Sequence, residues 1–212
     1  MRTLIINGGN INYDFASVYI KNTKFDKVIA VDGGLIFADK MNIIPDYIIG
    51  DFDTVQSSLL DKYNTQSKII KYNPIKDNTD SEIAINYACD INSTEIVIIG
   101  ATGKRMDHTL ANIEILVTPL RKGIEAYIID EYNKIYLIDN LKTISKSEQY
   151  GKYVSLIPLS KVEGLTLKGF KYPLDNYTYD IGISIGISNE LEAENGIVKL
   201  SDGILIAIES RD

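Results

Sequence analysis

Cysteine is almost missing from this chain. Cys89 is the only one in 212 residues, which rules out an internal disulfide and a multi-cysteine metal site and suits a reducing cytosol. Long apolar runs are missing too: none approaches the ~18 residues needed to cross a bilayer, and the first, Leu4-Ile5-Ile6, is too short for the core of a secretory leader. Positive charge is in deficit, with 22 Lys and Arg against 29 Asp and Glu and a formal charge of −7. No basic stripe exists to neutralise a phosphate backbone, which excludes a general nucleic-acid binder. A phosphate-bearing small ligand that arrives with a cation is still allowed. Two phosphate signatures are also lacking. No G-x-x-x-x-G-K-[ST] occurs, and neither Asn7-Gly8-Gly9-Asn10 nor Asp32-Gly33-Gly34 fits G-x-G-x-x-G. The expectation is a cytoplasmic protein with no membrane and no nucleic acid among its partners.

What is present has ordinary globular proportions, 45% apolar and 24% charged, with enough chain for one large domain or two small ones. The first half alternates short apolar runs (3–6, 27–31, 47–49, 95–99) with helical spacing at 35–41, 79–91 and about 107–117. Thr79 followed by Glu82 reads as a capping box at the start of the second helix. Strands alternating with helices imply a mainly parallel sheet covered on both faces. From about residue 125 onward the pattern changes to short strands separated by turn residues. Ala126–Asp139 reads as two strands and a turn, and Ile181, Ile183, Ile185 and Ile187 alternate with Gly and Ser like a strand with one apolar face. The expected architecture is an α/β domain over 1–125 and a small all-β sandwich over 126–212.

The chemistry gathers where the predicted parallel strands end. Asn7-Gly8-Gly9-Asn10 follows the first, Asp32-Gly33-Gly34 the second, Gly50-Asp51-Phe52-Asp53 the third, and Gly100-Ala101-Thr102-Gly103-Lys104-Arg105 the next. In open α/β sheets ligands bind beyond the carboxyl ends of the strands, glycines allow close backbone approach, and helix N-termini offer N–H groups to anions. Asp46, Asp51, Asp53, Asp77 and Asp80 crowd into 35 residues. Mg²⁺ sites use one or two carboxylates together with phosphate oxygens and water, and a like-charged pair one residue apart in extended chain faces one space. Each residue alone has a bland explanation: Asp80 as a helix-dipole partner, a lone strand-end Asp as a turn former, His108 as a structural histidine, Lys104 and Arg105 as a solvated loop tip. Their convergence on one sheet edge favours a metal–nucleotide site.

The stretches VDGGL (31–35), PDYIIGDFDT (45–54), KDNTDSEIAI (76–85) and GATGKRMDHTLANI (100–113), with a weaker echo in SIGISNE (184–190), resemble the thiamine pyrophosphokinase family in order and spacing. The resemblance implies a Mg–ATP-binding α/β catalytic domain, a β-sandwich that binds thiamine and mediates dimerisation, and a homodimer. The implied reaction moves the terminal diphosphate of ATP to thiamine, giving thiamine diphosphate and AMP. By matching position it assigns Asp51, Asp53 and Asp77 to catalysis and, with Asp80, to Mg²⁺. Asp32, Gly33, Gly34, Lys104, Arg105, Asp107, His108 and Thr109 would bind ATP, while Asp80, Ser188 and Asn189 would face thiamine. The chain departs from many members in reading Gly103-Lys104-Arg105 rather than Gly-Gly-Arg, in Ile187 where they have Thr, and in having no Trp. The alternatives are another Mg-dependent nucleotide phosphotransferase or hydrolase, and a non-catalytic nucleotide- or thiamine-binding module.

Overall fold

The computed structural model describes residues 1–72 and 78–212, so Asp77 lies outside the described residues. The chain divides into two compact units, Met1–Glu131 and Tyr132–Asp212.

In the first unit, β1 (Arg2–Ile6), α1 (Tyr13–Asn22), β2 (Lys27–Val31), α2 (Gly34–Lys40), β3 (Tyr47–Gly50), α3 (Ser57–Tyr63), β4 (Lys68–Lys71), α4 (Asp80–Asp90), β5 (Glu95–Ile99), α5 (Met106–Glu114), α6 (Val117–Arg121) and β6 (Glu125–Ile129) follow one another. The six strands pair in parallel in the order β6-β5-β1-β2-β3-β4. Leu4, Ile5, Ile6, Ile29, Ile48, Ile49, Ile96, Ile98 and Ile99 are buried to 1% exposure or less. That explains why the inner strands read as unbroken apolar runs, each such side chain contributing about 1.5–3 kcal/mol. Thr79 caps α4 as expected, its hydroxyl accepting from the N–H of Glu82 at 3.2 Å. The reciprocal half of the box is missing, because the Glu82 carboxylate takes the Asn78 amide instead, at 2.5 Å. The helix expected over 107–117 stops at Glu114, and α6 restarts at Val117. Ala126–Ile129 is the core of β6, which pairs in parallel with β5, and the first compact unit runs on to Glu131. Among the described residues no helix is long and apolar enough to cross a membrane.

The second unit contains β7 (Asn133–Ile138), β8 (Leu141–Ser145), β9 (Tyr153–Pro158), β10 (Val162–Lys168), β11 (Leu174–Tyr179), β12 (Asn189–Glu190), β13 (Asn195–Lys199) and β14 (Leu205–Ser210). They form two antiparallel sheets, β12-β9-β14-β7 and β11-β10-β13-β8. Tyr179, wholly buried, ties them together: its hydroxyl donates to the carbonyl of Leu156 at 3.0 Å and accepts from the N–H of Gly186 at 3.2 Å. The isoleucine run that reads as a strand is not one. Residues 181–188 form turns, with Gly182 at φ +91 and Ser188 at φ +55. Ile181, Ile183, Ile185 and Ile187 are 42–66% exposed.

Candidate active site

The sheet order dictates where a ligand belongs. From β1 the chain steps outward through β2, β3 and β4, then returns to the other side of β1 with β5 and β6. The topological switch point therefore lies at the carboxyl ends of β1 and β5, the expected crevice of an open parallel sheet. Two loops leave there and are laced together. The N–H of Asn7 donates to Ile99 O at 2.9 Å, that of Gly9 to Gly100 O at 2.9 Å, and that of Asn10 to Thr102 O at 3.3 Å. Glycine is required at residue 9, since any Cβ there would run into the Gly100 carbonyl. Asn112 of α5 steadies the second loop by donating to Ala101 O at 2.7 Å, and Thr102 donates to Asp130 Oδ2 at 2.9 Å.

A cavity of about 780 Å³ opens beside these loops. Asp32, Asp51 and Asp80 line it together with Lys104, Arg105, His108 and Thr109. Carboxylate oxygens of Asp32, Asp51 and Asp53 lie within 4.8 Å of one another. The register explains the meeting. Val31 pairs with Ile49, so Asp32 stands beside Gly50, and a Cβ at residue 50 would press on Asp32 at 3.3 Å. Asp32 holds a left-handed φ of +44 and accepts from the Thr54 hydroxyl at 2.5 Å through Oδ2, while its Oδ1 is buried without a partner. Asp51 Oδ1 accepts from the N–H of Asp53 at 3.1 Å. Between them Phe52, also left-handed at φ +64, turns into the apolar cluster of Ala30, Leu35, Ile48, Val55 and Tyr63. That anchor fixes the turn and leaves both carboxylates outside it.

The charges respond as expected of a crowded anionic site. The Asp53 carboxyl is held above its ordinary 3.8, by the charge of Asp51 first, then by desolvation and by Asp32 and Asp80. Three hard oxygen donors, one of them a buried carboxylate oxygen lacking any partner, fit an oxygen-seeking divalent cation such as Mg²⁺. Arg105 grips Asp107 with two contacts, at 2.5 and 3.2 Å. The grip pulls the Asp107 carboxyl down to about 2, so the pair holds at any pH well above that value. Lys104 has no ion pair among the described residues, which leaves its charge available to an anion.

Of the remaining candidates, Gly33 packs its backbone on Gly8, where a Cβ would sit 3.2 Å from the Gly33 Cα, and Gly34 lies directly under Ile6 O. Both pack strand against loop and do not line the cavity. Asp46 lies at the opposite end of β3, paired with Lys27 at 2.7 Å. Ser188 and Asn189 belong to the second unit. The Asn189 side chain is buried and fully engaged with backbone, accepting from the N–H groups of Tyr172 and Glu190 and donating to Tyr172 O. Motif reading assigned no role to Asn7, Ser81 or Asn112, all of which line the cavity; the place of Asn7 at a strand end was the one available signal.

Residues 19–128 match the thiamin pyrophosphokinase catalytic domain, and residues 142–205 the thiamin pyrophosphokinase vitamin B1 binding domain. Thiamine pyrophosphokinase of Bacillus subtilis is 34% identical over 186 residues, 87% of either chain. Thiamin pyrophosphokinase 1 of Caenorhabditis elegans is 24% identical over 176 residues, 78% of this chain and 70% of that one. The crystal structure of the Bacillus subtilis enzyme superposes with a TM-score of 0.89 at 31% identity, covering both chains completely. The Geobacillus thermodenitrificans structure gives 0.86 at 30% identity, over 100% of this chain and 98% of that one.

Proposed function

The chain belongs to the thiamin pyrophosphokinase family, and from that premise we propose that it transfers the terminal diphosphate of Mg–ATP to thiamine, giving thiamine diphosphate and AMP. The observation that carries the reading is the trio Asp32, Asp51 and Asp53, within 4.8 Å of one another beside a cavity at the switch point of a parallel sheet. In this reading the first unit, with residues 1–125 at its heart, binds Mg–ATP and carries the chemistry. Residues 126–212 supply thiamine binding and the dimer contact.

Asp51 and Asp53 hold the cation, with Asp32 beside them as a third donor; Asp80 and Asp77 complete the acidic set. A bound Mg²⁺ would neutralise charge on the phosphate oxygens and orient them. Lys104 and Arg105 contact the phosphates, Arg105 by exchanging Asp107 for a phosphate oxygen, and Asp107, His108 and Thr109 border the nucleotide. The thiamine hydroxyl oxygen bonds to the β-phosphorus while the bond from that phosphorus to the α-bridging oxygen breaks. AMP departs with the bridging oxygen, and the alcohol proton passes to a carboxylate of the cluster. Positioning and charge neutralisation dominate such transfers. On the thiamine side, Ser188 offers its hydroxyl from a left-handed turn, and Asn189 holds that turn in place. The exposed isoleucines 181–187 favour burial against a second copy, hence a homodimer. The lone, buried Cys89 suits a cytoplasmic setting.

Incubation with ATP, thiamine and Mg²⁺, followed by mass analysis, tests the reading. Thiamine diphosphate and AMP in equal amounts are expected. ADP or free phosphate as the nucleotide-derived product would assign a different phosphotransferase or hydrolase, and saturable binding without turnover would assign a sensor.

A further inference from the structure

Among the described residues, two buried side-chain oxygens have no hydrogen-bond partner, Oδ1 of Asn7 and Oδ1 of Asp32. They sit at the ends of neighbouring strands. Ile6 pairs with Ala30, and the residues immediately following the two orphans, Gly8 and Gly33, touch backbone to backbone. Buried acceptors are almost always satisfied in native proteins, and two adjacent exceptions in the wall of one cavity indicate a shared cause. The Asp32 orphan is accounted for by a cation. A neutral amide oxygen is a weaker cation ligand, and Asn7 is 4% exposed in a place the sequence motifs leave unassigned. Its amide nitrogen is engaged already, donating to the Ser81 hydroxyl of α4 at 2.8 Å. What is left over is an unpaired acceptor on a residue that lines a nucleotide-sized space, one strand away from the acidic trio.

We propose that Asn7 is a ligand-reading residue of this cavity: its Oδ1 accepts from an O–H donor carried in by Mg–ATP, either a water of the cation or a ribose hydroxyl. The inference rests on the nucleotide reading of the site, and it adds a requirement that reading does not contain. An acceptor at residue 7 contributes to the loaded state and nothing to the empty one. The Asn7–Ser81 bond also offers a competing account, in which Asn7 only tethers the start of α4 to β1.

Thermal unfolding of the full chain separates the two, measured in EDTA, in Mg²⁺ alone, and in Mg²⁺ with ATP or with 2′- and 3′-deoxy ATP. Asn7→Ala removes the unsatisfied acceptor together with the Ser81 contact, so in EDTA it should melt no lower than Ser81→Ala does. It should bind Mg–ATP about tenfold more weakly, the usual loss for one hydrogen bond to a polar ligand. Ser81→Ala removes the tether and keeps the acceptor; it should lower the melting temperature in EDTA while keeping the larger part of the ligand-induced rise. A deficit of Asn7→Ala already visible in Mg²⁺ alone identifies the cation's water as the donor. A deficit seen with ATP and lost with one deoxy nucleotide identifies that ribose hydroxyl. An equal Mg–ATP-induced rise in the two variants, or a full Mg–ATP response in Asn7→Ala, overturns the proposal. No Mg–ATP response in the wild-type chain would instead sink the nucleotide reading on which it stands.

Discussion

Asp32→Asn should make the empty protein more stable and the loaded one nearly inactive. The substitution keeps the shape of the side chain, and Asn tolerates the left-handed φ of +44 at this position, so backbone strain does not enter. Its amide can still accept from Thr54, as Asp32 Oδ2 does at 2.5 Å. What changes is charge. At the 4.8 Å limit that encloses the trio, two unit charges at an effective dielectric of ~20 repel by roughly 3.5 kcal/mol. The site is open on one side, and solvent screening there reduces the Asp32–Asp51 repulsion to about 1–2 kcal/mol. The buried, unpartnered Oδ1 becomes an amide nitrogen or oxygen, which costs less to bury than half a carboxylate. At ~2–4 °C per kcal/mol for a chain of this size, the melting temperature in EDTA should rise by roughly 2–8 °C. Mg–ATP at a hundred times its dissociation constant stabilises the wild type by about 2.7 kcal/mol, and the variant should lose most of that gain. Turnover to thiamine diphosphate should fall at least ~100-fold, the scale of a lost metal ligand or electrostatic contact at a transferring group. Calorimetry with and without Mg–ATP, alongside product quantification, reads all three. A variant that melts lower than wild type in EDTA, or that keeps the full ligand-induced rise, would refute the idea that Asp32 sits in the trio to meet a cation.

Other outcomes follow from the same geometry. Asp53 carries a carboxyl raised above 3.8, mainly by Asp51. A raised carboxyl contributes stability that is complete below its unfolded value and is lost as pH rises through the folded one. In EDTA the melting temperature should therefore decline as pH climbs from the ordinary 3.8 through the raised value; Asp51→Asn should move that decline downward, and saturating Mg²⁺ should flatten it. An unchanged profile in Asp51→Asn would dissociate the two carboxylates. Gly9→Ala forces a Cβ into the Gly100 carbonyl, and overpacking against backbone costs about 1–3 kcal/mol; the variant should unfold earlier and show a higher KM for ATP, and a wild-type KM would mean that the laced loops do not shape the nucleotide site. Ile183→Ser with Ile185→Ser should leave protomer stability intact, because both side chains are exposed. The double variant should convert a dimer to monomers in sedimentation, and an unaltered sedimentation coefficient would remove the 181–187 turns from the proposed interface.

How much of this was readable in the chain follows from how local each feature is. The inner strands announce themselves because burial on both faces leaves them mostly apolar: Ile96, Val97, Ile98 and Ile99 are all buried. β4 at the sheet edge has only Ile69 and Ile70 between two exposed lysines, too little to stand out, and α1 and α3 were missed as well. The isoleucines 181–187 misled for the opposite reason. Period-2 spacing says which residues would share a face, but only an opposing layer makes that face a core. Here Gly186 is pressed against Leu156 O and Tyr179, which holds the segment in turns and leaves the isoleucines outside. The Asp51–Asp53 pair was visible because one residue separates its members. Asp32 joins them through strand register at a sequence separation of nineteen, and Asn7 meets Ser81 at a separation of seventy-four. Sequence can place a polar residue at a strand end; whether its oxygen finds a partner depends on every neighbour the fold brings to it. An unsatisfied acceptor is thus the kind of site residue that motif reading misses, and its location next to the acidic trio makes Asn7 a position where this chain can tune its hold on the nucleotide without altering the carboxylates themselves.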